Sequence, residues 1–301
     1  MYDIVIIGGG PAGLTAATYA RRSGKSVLVI EKDGFGGQIA WSPRVENFPG
    51  FISISGAELG DKFLAQAMEQ GADVELEEVI KIEGIPGKRL VKCVSGAEFE
   101  AKSVIIAAGA KPRTLGLPNE ENLIGNGVCF CAVCDGIFYK DKAVAVNGGG
   151  NSALQDALLL SEKCRKVYLI HRRDSFRGVA KLVEALKKRD NVEFILNTNI
   201  IGLSGDKELE ALMLDTEGIK SELKVEGLFV AIGHKPDICS FSPLIELNPA
   251  GYANSSEDCT TVSPDIFVAG DCRVKKVHQL TTAVADGASA ALAACEYIDS
   301  L

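Results

Sequence analysis

No apolar run in this 301-residue chain approaches the ~18–20 residues that a membrane-spanning helix needs. Also missing is a basic amino-terminal segment leading into an apolar stretch and a small-residue cleavage site. The chain opens Met1-Tyr2-Asp3 and enters an apolar run at once, so a cytoplasmic protein with no membrane partner is the expectation. Positive charge is in deficit: 32 Lys and Arg against 40 Asp and Glu give a net charge of −8. That balance argues against nucleic acid or an anionic lipid surface as the main partner. Low-complexity tracts are lacking, and an apolar fraction of 47% excludes a disordered chain. Nine cysteines are present, an odd number without the regular spacing of a disulfide framework. In a reducing compartment most would stay as thiols, so a Cys-x-x-Cys reads as redox chemistry rather than a staple.

Glycine is plentiful, 32 residues, and its excess over the usual ~7% gathers at strand-to-helix junctions. Short β-branched runs alternate with helical segments, the pattern of parallel sheets built from βαβ units. The length suits two domains, each able to bury its own core. Two segments read as the same nucleotide-binding fingerprint. Gly8-Gly9-Gly10-Pro11-Ala12-Gly13 follows the run Ile4–Ile7, and Glu31 stands 23 residues beyond Gly8. Gly148-Gly149-Gly150-Asn151-Ser152-Ala153 follows a second run, and His171-Arg172-Arg173 begins 23 residues beyond Gly148. The glycines allow a tight turn, close backbone approach to a pyrophosphate and close helix packing, while the helix N-terminus offers free N–H groups. An acid at the later offset suits a free ribose 2′-hydroxyl; a basic cluster suits a 2′-phosphate. His171, Arg172, Arg173 and Arg177 therefore form a candidate cage for NADPH, with guanidinium forks giving paired hydrogen bonds. The plainer alternatives are a ligand-free glycine turn and a solvated basic strand end.

The repeat extends further. Each fingerprint is followed by a hairpin region and a buried strand ending in glycine, Gly109 in one case and Gly233 in the other. The endings Ala-Ala-Gly-Ala-Lys-Pro (107–112) and Ala-Ile-Gly-His-Lys-Pro (231–236) match closely. Helices are expected over about 56–70 and 279–298, and hairpin strands over 79–100. The strand at 265–271 has no fingerprint of its own and is expected to complete an existing sheet. The expected fold is α/β: two Rossmann-like domains for FAD and NAD(P), the second inserted into the first. The first domain takes residues 1–112 and 245–301, and the insert takes 113–244.

Between the fingerprints lies Cys131-Ala132-Val133-Cys134-Asp135-Gly136. One thiolate of such a pair can attack a disulfide while its neighbour resolves the mixed disulfide, and Asp135 can serve as acid or base for the departing thiol. Cys129 makes a zinc site the rival reading, although no fourth ligand is evident; a buried small hydrophobe is its ordinary role. Asp271 ends a buried strand, where ligands gather in open α/β sheets, and is a candidate contact for a flavin ribitol or pyrophosphate. Its alternative is an N-cap for the next turn. Two dinucleotides and a dithiol in one chain point to electron transfer from NADPH through FAD to a disulfide.

The chain resembles the low-molecular-weight thioredoxin reductases over essentially its whole length. The resemblance rests on Gly8–Gly13, Gly36-Gly37-Gln38, Val45-Glu46-Asn47-Phe48-Pro49-Gly50, the Cys131–Gly136 segment, His171-Arg-Arg-x-x-x-Arg177, and Gly270-Asp271 with Gln279 beyond. It implies a homodimer, FAD in the split domain, NADPH in the insert, and thioredoxin or a thioredoxin-like protein as acceptor. It further implies rotation of the insert between half-reactions, with Cys134 nearer the flavin and Cys131 attacking the acceptor. Gly37, Gln38, Asn47, Asp271 and Gln279 carry over as flavin contacts, and Ser152 and Arg177 as NADPH contacts. Departures are His278 for the family's usual Arg, Gln155 for a common acid, and Cys129 for a non-thiol residue. A glutaredoxin-like or peroxidase-linked acceptor and a ferredoxin-linked reductase are the enzymatic alternatives; a non-catalytic redox sensor is the alternative of another class.

Overall fold

The computed structural model describes all 301 residues and divides into two compact units, Met1–Lys111 with Lys235–Leu301, and Pro112–His234. The return crossing thus falls ten residues before the expected position 245. The cause is packing: Ile238 and Phe241, with Ile245, bury their side chains in the core of the first unit beside Val5, Ile7 and Ile266.

In the first unit the strand Tyr2–Ile7 lies between Val27–Glu31 and Glu98–Ile106, parallel to both, with Ile4 opposite Val27 and Ser103. All of Ile4, Val5 and Ile6 are fully buried, as expected for a parallel strand covered on both faces. The strand Glu98–Ile106 is shared along its far edge. Its start pairs antiparallel with Lys88–Cys93 and its end pairs parallel with Ile266–Val268. The hairpin is therefore part of the main sheet, and the late strand completes that sheet as the sequence implies. Helix Pro11–Arg22 buries its alanines, and helix Leu280–Asp299 adds Ala290, Ala291 and Ala294 to the same core. Small side chains on both helices permit that close approach. One tie had no signal in the sequence: Arg89 donates from Nε and Nη2 to the Asp265 carboxylate at 2.6 and 2.8 Å, both residues buried.

The second unit repeats the scheme. Its five-stranded sheet runs Val192–Ile195, Lys166–Ile170, Ala143–Asn147, Gly227–Val230, Val128–Cys129, parallel throughout. Helix Asn151–Ser161 buries Ala153, Leu154, Ala157 and Leu160 against this sheet. Here the antiparallel strands Thr198–Ser204, Ala211–Thr216 and Ile219–Lys224 form a sheet of their own.

Candidate active site

At the first fingerprint the chain leaves the strand Tyr2–Ile7 through Gly8, which has φ +110°, and a Cβ there would lie 2.4 Å from the Ala107 carbonyl oxygen. A Cβ on Gly13 would lie 1.9 Å from the Gly8 carbonyl oxygen. Helix Pro11–Arg22 starts at Gly10 with no side chain capping it, so its first N–H groups are available to phosphate oxygens. Glu31 ends its strand beside this turn: one carboxylate oxygen accepts from the Gly9 N–H at 2.6 Å and the other from the Asp33 N–H at 2.9 Å. Gly37 has φ +59° and comes within close range of Gly10, opening a short 3-10 turn over Gly37–Trp41. From that turn the Gln38 amide donates to the Ala110 carbonyl at 3.1 Å, next to Gly109. The Asn47 amide reaches the Gln279 side chain at 3.4 Å, and Gln279 begins helix Leu280–Asp299 through a reciprocal capping pair with Thr282. Asp271 follows the strand Ile266–Val268, and its Oδ1 is buried without a hydrogen-bond partner. A buried carboxylate oxygen without a donor is costly, and a ligand hydroxyl would satisfy it. The glycine cradle and this oxygen fit a dinucleotide bearing a polyhydroxy chain.

The second fingerprint reaches a similar turn by other means. Gly148 has φ +158°, and a Cβ there would meet the Ala231 carbonyl oxygen at 2.5 Å and the Ala153 methyl at 2.7 Å. Space around Gly150 is open, and helix Asn151–Ser161 begins there uncapped. Asn151 faces the following loop, its Oδ1 accepting from the Val179 N–H at 2.8 Å, while Ser152 is exposed. The Arg177 N–H donates to the Gly149 carbonyl at 2.8 Å, which ties the basic segment to the glycine turn. Arg172, Arg173 and Arg177 are exposed. His171 is separate from them in kind: its ring is buried, stacks on Phe176 at 5.4 Å, and has an unpartnered Nε2. Burial, reinforced by Arg173 and Arg177, pushes its pKa down. It stands as a neutral ring beneath Gly149, where a Cβ would come within 2.2 Å of it.

Cys131 and Cys134 form a disulfide, with Cα atoms 5.3 Å apart. Cys131 precedes the single turn Ala132–Asp135, and the Cys134 N–H donates to its sulfur at 3.1 Å. Such a bond favours thiolate on Cys131 once the pair is reduced. Burial pushes the Asp135 carboxyl up to about 6. Cys129 lies buried with its sulfur 3.3 Å from the Tyr139 hydroxyl, and burial pushes its thiol up to about 12. At neutral pH it is a protonated, unreactive thiol. No group of three or more His, Cys, Asp and Glu side chains is arranged to hold a metal ion.

The model of the pyridine nucleotide-disulphide oxidoreductases matches residues 2–287. The chain is 39% identical to the thioredoxin reductase of Bacillus subtilis, covering 100% of this chain and 96% of that one. It is 40% identical to a 34.2 kDa protein in the rubredoxin operon of Clostridium pasteurianum, covering 98% and 97%. The solved thioredoxin reductase of Streptococcus pyogenes MGAS5005 superposes with a TM-score of 0.95 at 37% identity, covering 100% and 99%. The chain belongs to the pyridine nucleotide-disulphide oxidoreductase family, as a flavoprotein disulfide reductase.

Proposed function

We propose that the protein is an NADPH-dependent, FAD-containing thioredoxin reductase, acting through the Cys131–Cys134 pair. The observation that carries this reading is that disulfide, set in the same unit as a fingerprint followed by three exposed arginines. FAD, when bound, would supply the two-electron chemistry that links an NADPH hydride to the disulfide. Gly8, Gly10, Gly13, Glu31, Gly37, Gln38, Asn47, Gly109, Asp271 and Gln279 would hold it. Gly148, Gly150, Asn151, Ser152, Gly233, Arg172, Arg173 and Arg177 hold NADPH, and His171 supports them from below. Two electrons and two protons convert Cys131–Cys134 to the dithiol. The Cys131 thiolate attacks the disulfide of thioredoxin, forming a mixed disulfide and expelling one thiolate, which Asp135 protonates. Cys134 then attacks the Cys131 sulfur, which releases reduced thioredoxin and restores the disulfide.

One flavin must meet both the nicotinamide and the disulfide, and these two sites belong to one unit. We adopt from the family resemblance a rotation of that unit between half-reactions, which would let the flavin meet each in turn. A homodimer is what the family resemblance implies, and seven unpaired cysteines fit a reducing compartment such as the cytoplasm. The test is an anaerobic NADPH titration followed by flavin absorbance. Wild type takes up two hydride equivalents per subunit and Cys134→Ser takes up one; equal uptake would remove the pair from the electron path.

A further inference from the structure

The charges around Asp271 are arranged unequally. Asp286, buried on helix Leu280–Asp299, accepts at one oxygen from the Gly270 N–H (3.0 Å), Arg273 Nε (3.0 Å) and Lys275 Nζ (2.8 Å), and at the other from Arg273 Nη2 (3.1 Å). Burial would raise its carboxyl, but the hydrogen bonds from Arg273 and Lys275 hold it below the ordinary range. Lys275 Nζ is nearly buried and stands 3.6 Å from Asp271 Oδ1, beyond hydrogen-bond reach. The same ammonium is ion-paired with both carboxylates but hydrogen-bonds to Asp286 alone. Oδ1 of Asp271 is left buried without a donor. Arg273 is anchored separately by the Ser255 hydroxyl and the Ser256 carbonyl, both at 3.2 Å.

We infer that Asp286 is a positioning residue for the flavin site: by taking Lys275 it keeps Asp271 Oδ1 open for a cofactor hydroxyl. The inference rests on the proposed flavin reading and adds to it a residue that itself touches no cofactor. The physical reason is competition. An ammonium this near would move less than 1 Å to bond Asp271 if Asp286 lost its charge, and a charge-assisted bond is the stronger partner. A cofactor hydroxyl would then have to displace it. The Asp286 bond to the Gly270 N–H also fixes the turn that presents Asp271.

The test uses purified holoenzyme and measures flavin released on dilution, by the rise of free-FAD fluorescence, for wild type, Asp286→Asn, Lys275→Met and the double variant. Asp286→Asn is expected to hold FAD at least about tenfold more weakly, the scale of one charge-assisted hydrogen bond. Lys275→Met alone is expected to hold it as tightly as wild type. The double variant is expected to recover to within about threefold of wild type, which a merely structural role for Asp286 would not produce. Asp286→Asn holding FAD like wild type, or a double variant no tighter than Asp286→Asn, would overturn the inference. Should Asp286→Asn fail to fold, Lys275→Met decides: FAD held about tenfold more weakly would make Lys275 a cofactor ligand and refute its sequestration. A wild-type protein that carries no flavin would sink the functional reading itself, and this inference with it.

Discussion

Gly13 and Ala153 hold equivalent places in the two fingerprints, yet only one of them tolerates a methyl group. At Gly13 a Cβ would press to 1.9 Å from the Gly8 carbonyl oxygen, whereas in the second turn Gly148 is itself swung to φ +158° and the Ala153 methyl fits beside it. The ends of the neighbouring strands differ as well: Glu31 turns its carboxylate onto the Gly9 N–H, while His171 slides a neutral ring under Gly149 and leaves the arginines outside. One architecture is thus finished in two ways, with a carboxylate on the glycine turn in the first unit and exposed guanidinium groups beyond it in the second. The antiparallel strands diverge too, joined to the main sheet in the first unit and separate in the second. What repeats is the glycine turn that opens an uncapped helix; what differs is the chemistry at its rim.

The sharpest break in this comparison lies outside both fingerprints. Cys134→Ser is expected to lower thioredoxin reduction by at least about 10³-fold while flavin reduction by NADPH continues, which stopped-flow absorbance separates from turnover. Next comes the glycine pair itself. Gly13→Ala is expected to cost about 3 kcal/mol through overpacking at the turn and to shed flavin. Ala153→Gly is expected to cost only about 1 kcal/mol, the helix propensity of glycine. Thermal melts and flavin content distinguish them, and equal costs would mean that the two turns are not tuned separately. Neutralising Arg172 and Arg173 together is expected to raise KM for NADPH by about 10–100-fold, leaving kcat and the constants for NADH nearly unchanged. Truncating His171 to Ala would instead loosen the turn for both nucleotides.

The smallest effect concerns protons. Asp135 titrates near pH 6 in the folded chain, above the ~3.9 of an unfolded aspartate. Between those values the folded state binds more protons at this group, so its contribution to stability is fully present below about pH 4 and is lost as pH rises through 6. Asp135→Asn removes that component, and the melting temperature at pH 7 is expected to rise. Turnover is expected to drop by at least about tenfold and to lose its decline above pH 6.

Much of this was open to reading along the chain because its determinants are local. Glycine spacing, the residue 23 positions on, and the Cys-x-x-Cys all lie within single βαβ units or turns. The helix Leu280–Asp299 followed from pattern, as did the hairpin expected over 79–100, which pairs 79–85 with 88–93 while 98–100 begin the long strand Glu98–Ile106. His171 differs from its neighbours: adjacent to two arginines it reads as part of a basic cluster, whereas its ring lies buried at the end of a strand covered on both faces. The return crossing at 234–235 was hidden because Ile238 and Phe241 join a core whose other members lie far away in sequence.

By itself the sequence determined the α/β repeat, the two glycine turns and the redox pair, since each depends on residues a few positions apart and on backbone conformations that only glycine adopts readily. Only the tertiary structure decided what depends on burial. It raised Asp135, silenced Cys129 and made His171 a neutral support. It also gave the Lys275 hydrogen bond to Asp286 and left only a longer ion pair to Asp271. Desolvation and the choice among competing charges are properties of the packed neighbourhood, and no spacing along the chain encodes them.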